Sequence, residues 1–419
     1  MTMSADFRHV LVDVADRFGT PTYVYDLTVV ERQVRRLVAA FPAPEYRLLY
    51  ALKANPLPEI VRLLVRNGLG IDAVSPGERE LALRLGLSPA DILFSANNMS
   101  EEEMTGAHDS GVLLNIGELT RLEAFAHAYP GADVCVRFNP RIGSGHHDHV
   151  VTGGEQSKFG IAIEEADEVA RICRDHRLRV RGIHQHIGSG NLDISPYAQS
   201  ISSLLSTAGL FRELEFVNVG GGLGVPYRPS DSEFDLMDFR MMLDGLRADL
   251  AGRTGQAPVF RLEPGRYLTA QAGVLLVRVT TIKTSYGKTF VGTNSGMNHL
   301  VRPAMYGAYH TVENLTNPAA PQETYDIVGN ICESADFFAR DRDVAAIAEG
   351  DVLAILDVGA YGMSMASTYN LRELPTEVVI QVDGQRRCVR RRATPSEMVD
   401  RLLKETSGSP DSSPDNANL

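Results

Sequence analysis

The sequence predicts an α/β chain in which a (β/α)₈ barrel of the TIM type is followed by a second, all-β domain. Three observations carry that reading. Eight short β-type runs alternate with amphipathic helical patterns between Tyr46 and Leu262, polar residues stand at the ends of those runs, and the sequence afterwards turns β-rich and turn-rich. At 419 residues the chain also exceeds the size at which one hydrophobic core stops growing, so two domains are expected.

The runs are Tyr46–Leu52, Leu69–Val74, Asp91–Phe94, Val112–Asn115, Asp133–Phe138, Val180–His186, Glu215–Val219 and Val259–Leu262. Between them, segments such as Leu57–Arg66 and Pro76–Leu85 repeat leucine and valine at three- to four-residue spacing, the pattern of a helix with one buried face. After Glu263 the runs Gly273–Thr281, Thr289–Val291, Val352–Leu356 and Val378–Val382 read as strands, and Thr22–Tyr25 adds one more before the first helix. The expected division is a barrel over residues 27–275, a β-domain made of 1–26 and 276–405, and a disordered Ser-, Pro-, Asp- and Asn-rich tail over 406–419.

Composition narrows the function. With 44% apolar and 22% charged residues and no apolar run near the ~20 residues of a membrane span, the chain reads as soluble and globular, without a membrane partner. Met1–Asp6 has neither a basic n-region nor an apolar h-region, which points to the cytoplasm. A net charge of −12 opposes nucleic acid, so small molecules are the expected ligands. Cys135, Cys173, Cys332 and Cys388 form no C-x-x-C pair, which argues against a zinc site or a disulfide framework. Gly145-His146-His147-Asp148-His149 looks like a metal cluster, but adjacent side chains diverge and no H-x-x-x-H face forms, so no metal is expected.

In a barrel of this kind catalytic groups lie where strands end. Lys53 follows the apolar Leu48-Leu49-Tyr50-Ala51-Leu52, where burial would depress its pKa and favour the neutral amine needed for a Schiff base. His184 and His186 alternate along one strand face, with His186 nearer the ligand end and Ser189 behind it. Gly220-Gly221-Gly222-Leu223-Gly224 follows the seventh run, and glycines let backbone N–H groups approach a phosphate. Glu263-Pro264-Gly265-Arg266 ends the eighth run with a carboxylate fit to hold a pyridine nitrogen protonated. Cys332-Glu333 pairs a thiol able to protonate a carbanion with an acid able to bind an amine. Each feature also has a plain structural reading: a solvated lysine, a turn, a closing ion pair, a core histidine, a buried cysteine.

Together the motifs are more specific than any one of them. Tyr50-Ala51-Leu52-Lys53-Ala54-Asn55, Ser157-Lys158-Phe159-Gly160, His186-Ile187-Gly188-Ser189, the triple glycine, Glu263-Pro264-Gly265-Arg266, Arg302-Pro303-Ala304-Met305-Tyr306, Cys332-Glu333-Ser334 and Gly359-Ala360-Tyr361-Gly362 occur in that order. In this the chain, from about Pro21 to Glu397, resembles the fold-type III pyridoxal-phosphate decarboxylases with the alanine racemase-like barrel, and among them the diaminopimelate decarboxylase branch.

The resemblance implies pyridoxal 5'-phosphate as cofactor and a homodimer with shared active sites. It implies that Lys53 holds the cofactor as a Schiff base, His186 stacks on its ring and Glu263 pairs with its nitrogen. Ser189, the backbone of Gly221, Gly222, Gly265 and Arg266, and the Tyr361 hydroxyl would bind its phosphate. Arg266, Arg302, Tyr306 and Tyr361 would meet substrate carboxylates. From the partner subunit, Glu333 would take the distal amine and Cys332 would protonate Cα once CO₂ has left. The implied reaction is decarboxylation of meso-2,6-diaminopimelate to L-lysine. Alternatives of the same class are relatives acting on ornithine, carboxynorspermidine or a carrier-bound amino acid. A racemase and a non-catalytic protein on the same fold are the readings from other classes. Asn294 stands where relatives usually carry an aspartate, which bears on the substrate.

Overall fold

A computed structural model describes residues 3–144, 153–154, 156–212 and 214–406, so the histidine-rich run at 145–149 and the tail from 407 on lie outside the described residues. All eight expected runs are strands, and they close a parallel barrel: Tyr46–Ala51, Gly70–Ala73, Ile92–Phe94, Leu113–Ile116, Asp133–Asn139, Arg179–His184, Phe216–Asn218 and Val259–Leu262. Closure rests on the first strand pairing with the eighth (Tyr46 with Phe260) and the fourth with the fifth (Asn115 with Cys135). Below, we number the barrel strands in this order.

Helices follow the strands because their boundaries are written locally. Ser100 and Glu103 form a capping box at the start of Glu101–Asp109, and Asp235 caps Leu236–Thr254, which Gly255 ends in the left-handed region at φ 70°. The helix Pro58–Arg66 buries Ile60, Val61, Leu63 and Leu64, each contributing about 1.5–3 kcal/mol of burial. The outer ring is completed in an unexpected way. Only the four-residue helix Arg266–Thr269 follows the eighth strand, and Leu27–Ala40, which precedes the first, fills the gap between Pro58–Arg66 and Leu236–Thr254. The chain is therefore free to leave the eighth strand straight into the second sheet.

That sheet is mixed and has nine strands. Its spine is the 13-residue Gly273–Ser285, which pairs antiparallel with Thr22–Asp26 and Val352–Ile355 along its first half and with Lys288–Thr293 along its second. Thr376–Ile380 runs parallel to Thr22–Asp26. The helices Ala5–Phe18, Arg302–Tyr306 and Pro395–Thr406 accompany it. Gln322–Val328 and Phe337–Ala345 extend one side and Arg386–Arg390 the other, all three beyond the strands read from sequence. The second unit is tied to the barrel mouth by the Tyr361 N–H donating to the Ala54 carbonyl (2.9 Å) and the Asn55 amide donating to the Gly359 carbonyl (2.9 Å).

Candidate active site

Inside the barrel the two-residue period of each strand sorts side chains into layers. Leu49, Leu93, Cys135 and Phe216 pack as a dry floor. Above them, toward the C-terminal strand ends, the second, fourth, fifth, sixth and seventh strands contribute Asp72, Asn115, Arg137, His184 and Asn218, all buried. The chain breaks out of the first strand into a single 3₁₀ turn, Leu52–Ala54, and this delivers Lys53 over that polar layer.

A cavity of about 290 Å³ opens there. Its walls bring together Lys53, His186, Ser189, Glu263, Arg266, Arg302, Tyr306 and Tyr361, with Asp72, Arg137, Phe159 and His184 joining them. A larger cleft of about 720 Å³ at the opposite end of the sixth strand holds none of the expected site residues.

Lys53 Nζ lies 2.9 Å from Asp72 Oδ2, and its side chain keeps 38% of its surface open. Burial lowers the Lys53 pKa, but Asp72, Tyr361 and Glu263 together outweigh it and the net shift is upward. The expectation of a depressed lysine is thus corrected: it considered desolvation and lacked the carboxylate. Burial, and then the Glu263 carboxylate, push Asp72 upward, while Lys53 pulls it down.

Glu263 is buried with its oxygens fixed. His184 Nε2 lies 3.1 Å from both, and the Asn218 amide donates to Oε1 at 2.8 Å. Burial would raise its pKa, yet His184 and Lys53 hold it at about 2, so the carboxylate is ionised. Burial, with Lys53 and Arg137, pushes the His186 pKa well below 6.5. The ring is neutral, and its Nδ1 accepts from the Gly221 N–H at 3.2 Å. Arg266 donates to Ser189 Oγ through Nε (3.3 Å) and Nη2 (2.9 Å) and to the Tyr227 hydroxyl through Nη1 (2.9 Å).

This wall suits pyridoxal phosphate. An amine and an ionised carboxylate face one cavity, as the two ends of a pyridine aldehyde require. The glycine turn is a cradle that side chains would fill: a Cβ at Gly221 would sit 2.1 Å from the Glu263 carbonyl oxygen, and one at Gly222 (φ 96°) 2.3 Å from that of Gly188. No group of three or more metal-ligating side chains occurs among the described residues, and no helix there is long and apolar enough to cross a membrane.

Cys332 and Glu333 are exposed and do not line the cavity of their own chain; the Cys332 N–H meets Asn370 and Glu333 meets the Tyr369 hydroxyl (2.5 Å). Asn294 is not in the wall either. Its Oδ1 accepts from the Arg278 N–H and its Nδ2 donates to both oxygens of Thr20 (2.9 Å each), a bond to a carbonyl that an aspartate could not donate. Sequence reading passed over Asp72, Arg137, His184's bond to Glu263, Tyr227 and His310. Asp72 alone left a signal, as a lone carboxylate inside the apolar run Leu69–Val74.

Comparison with known proteins agrees with this wall. Residues 27–270 match the family described as pyridoxal-dependent decarboxylase, pyridoxal binding domain. The chain is 44% identical to the diaminopimelate decarboxylase of Methanothermobacter thermautotrophicus, over 93% of this chain and 92% of that one. A crystal structure of diaminopimelate decarboxylase superposes with a TM-score of 0.88 at 33% identity, covering 94% and 96% of the two chains. The Helicobacter pylori enzyme, in complex with L-lysine, gives 0.86 at 31%, covering 94% and 100%. The match to the family spans more than half the chain and coincides with the barrel and its glycine cradle, and the chain belongs to the pyridoxal-dependent decarboxylases.

Proposed function

We propose that this chain decarboxylates meso-2,6-diaminopimelate to L-lysine and CO₂ with pyridoxal 5'-phosphate at the barrel mouth. One observation carries the reading: the cavity that joins Lys53 to an ionised Glu263 also presents two buried arginines, Arg266 and Arg302, which suit a substrate with two carboxylates. The named relatives act as support. Asn294, held by Thr20, gives no reason to prefer another substrate.

When bound, the cofactor supplies an electron sink for the pair left as the Cα–carboxylate bond breaks. The chain's own groups do the rest. Lys53 would be the anchoring amine, and Asp72 Oδ2, 2.9 Å from Nζ, orients it and stabilises its charged form. Glu263, steadied by His184 and Asn218, would pair with the ring nitrogen and keep it protonated. His186 would stack on the cofactor ring. Ser189, the backbone of Gly221, Gly222, Gly265 and Arg266, and the Tyr361 hydroxyl would hold the phosphate. Arg266, Arg302, Tyr306 and Tyr361 orient substrate carboxylates.

Cys332 protonates Cα and Glu333 binds the distal amine, both in the site of a second copy. Their exposure and their absence from their own cavity support a homodimer with shared sites. The working division is a cofactor unit over 27–275, a β-unit over 1–26 and 276–405, and a tail over 406–419, in a cytoplasmic enzyme.

The test is CO₂ release from diaminopimelate, lysine, ornithine, arginine and carboxynorspermidine. Diaminopimelate is the expected substrate, and Arg302→Ala should cut kcat/KM for it by about 10- to 100-fold, the worth of charge-assisted hydrogen bonds. An unchanged value would remove the assignment.

A further inference from the structure

We propose that His310, together with Tyr227, is a positioning residue that sets where the Arg302 guanidinium stands in the cavity wall, and so tunes recognition of the substrate carboxylate far from the bond that breaks. The inference rests on the function proposed above and concerns two residues that do not line the cavity themselves.

Arg302 is 1% exposed, and a guanidinium has donors only. Its Nη1 lies 2.9 Å from His310 Nε2, so that nitrogen is the acceptor and the ring proton belongs on Nδ1. Nδ1 in turn lies 2.9 Å from the Leu356 carbonyl, which can only accept. Both neighbours therefore demand the same neutral tautomer. The ring is fully buried, and burial, followed by the charge of Arg302, pushes its pKa well below 6.5, which keeps that tautomer in place.

Tyr227 supports the same guanidinium from another side. The Arg302 guanidinium carbon lies 4.7 Å from the centre of the Tyr227 ring, and the His310 ring meets Tyr227 edge to face at 5.4 Å. The Tyr227 hydroxyl meanwhile accepts from Arg266. One phenol thus contacts both of the like charges that share a cavity wall. The support behind His310 is fixed as well. Its carbonyl accepts from Arg342 Nη1 at 2.6 Å, and the Tyr309 ring next to it lies 3.8 Å from the Arg342 guanidinium carbon. Arg302 without its imidazole acceptor has a buried donor to satisfy and a long side chain free to change rotamer.

Three variants separate the bonds. His310→Asn keeps an amide donor for Leu356 and loses the acceptor for Arg302; His310→Gln keeps an acceptor near the Nε2 position; His310→Phe removes both while preserving a ring. In holoenzyme with unchanged cofactor absorbance and thermal midpoint, Asn and Phe should raise KM for diaminopimelate and the dissociation constant of L-lysine by about tenfold, with kcat nearly unchanged. L-lysine belongs in the test because it retains the far carboxylate; 1,5-diaminopentane lacks it and should bind each variant as it binds wild type. Gln should recover most of the loss. Equal KM and L-lysine affinity in all four proteins, a fall in kcat alone, or Gln no better than Phe would overturn the proposal. A crystal structure of His310→Asn reads the same question without substrate: Arg302 displaced from the wall supports it, and Arg302 unmoved overturns it. Wild-type enzyme inactive on diaminopimelate counts against the proposed function, whereas an unmoved Arg302 counts against His310.

Discussion

At the barrel end of the cavity each polar group follows its own strand directly: Lys53 after the first, His186 and Ser189 after the sixth, the triple glycine after the seventh, Glu263 and Arg266 after the eighth. At the sheet end the arrangement is indirect. Arg302 and Tyr306 sit on a five-residue helix, Tyr361 in a loop with φ 56°, and Arg302 is held through His310 and Tyr227, while Cys332 and Glu333 face outward. The barrel end is preorganised by backbone that the closed sheet already fixes. The sheet end depends on side chains held by other side chains and, in the proposed homodimer, on a second copy. On the proposed roles, cofactor chemistry common to a family resides in the rigid part, and substrate choice in the part that single substitutions can move.

The comparison breaks first at Lys53. Lys53→Ala removes the proposed anchor of the cofactor and should abolish the yellow absorbance and lower kcat by roughly 10³-fold or more. Retained colour with wild-type turnover would place the anchor elsewhere. The sheet end is tested by mixing. Lys53→Ala and Cys332→Ala proteins, each inactive, should on subunit exchange recover about one quarter of wild-type activity, the statistical share of intact sites in a two-fold dimer. No recovery in a mixture shown to contain heterodimers would mean that each chain completes its own site.

A finer test concerns Asp72. Asp72→Asn removes the nearest negative charge from the Lys53 ammonium and should lower its pKa. A neutral amine is what reacts with an aldehyde, so the pH at which apoenzyme takes up pyridoxal phosphate should fall by the same amount, seen in the absorbance of stopped-flow reconstitution. An unshifted profile would mean that Asp72 orients Lys53 without tuning it.

The same contrast explains what the sequence revealed. Parallel strands buried on both faces read as continuous apolar runs, so all eight were visible, and residues at their ends inherited a location and a direction. Phe337–Ala345, in contrast, reads Phe-Phe-Ala-Arg-Asp-Arg-Asp-Val-Ala, and the charges of a strand near the sheet edge mask its alternation. Asp72 was hidden because its role depends on Lys53 one strand away, and His310 because its partner Arg302 and its anchor Leu356 meet only through the fold. The raised pKa of Lys53 was misjudged for the same reason: desolvation can be inferred from an apolar neighbourhood, but a countercharge on another strand cannot.

The smallest expected effect asks whether the sheet end also yields first to acid. His299, buried three residues before Arg302, bonds Ser295 through Nδ1 (3.0 Å), and its carbonyl accepts from the Tyr23 hydroxyl. Burial, with Arg372 and Arg392, lowers its pKa from 6.5 to about 4, while a backbone contact to Glu373 works the other way. Between those values the unfolded chain binds a proton that the folded one refuses, so stability is complete above pH 6.5 and falls as pH drops toward 4. At pH 5 the loss from this one group is about 2 kcal/mol. His299→Asn keeps a polar atom near the Nδ1 position and abolishes the titration, so its thermal midpoint should decline less steeply than that of wild type between pH 7 and 5. Parallel declines would locate the acid sensitivity away from His299 and remove this difference between the two ends.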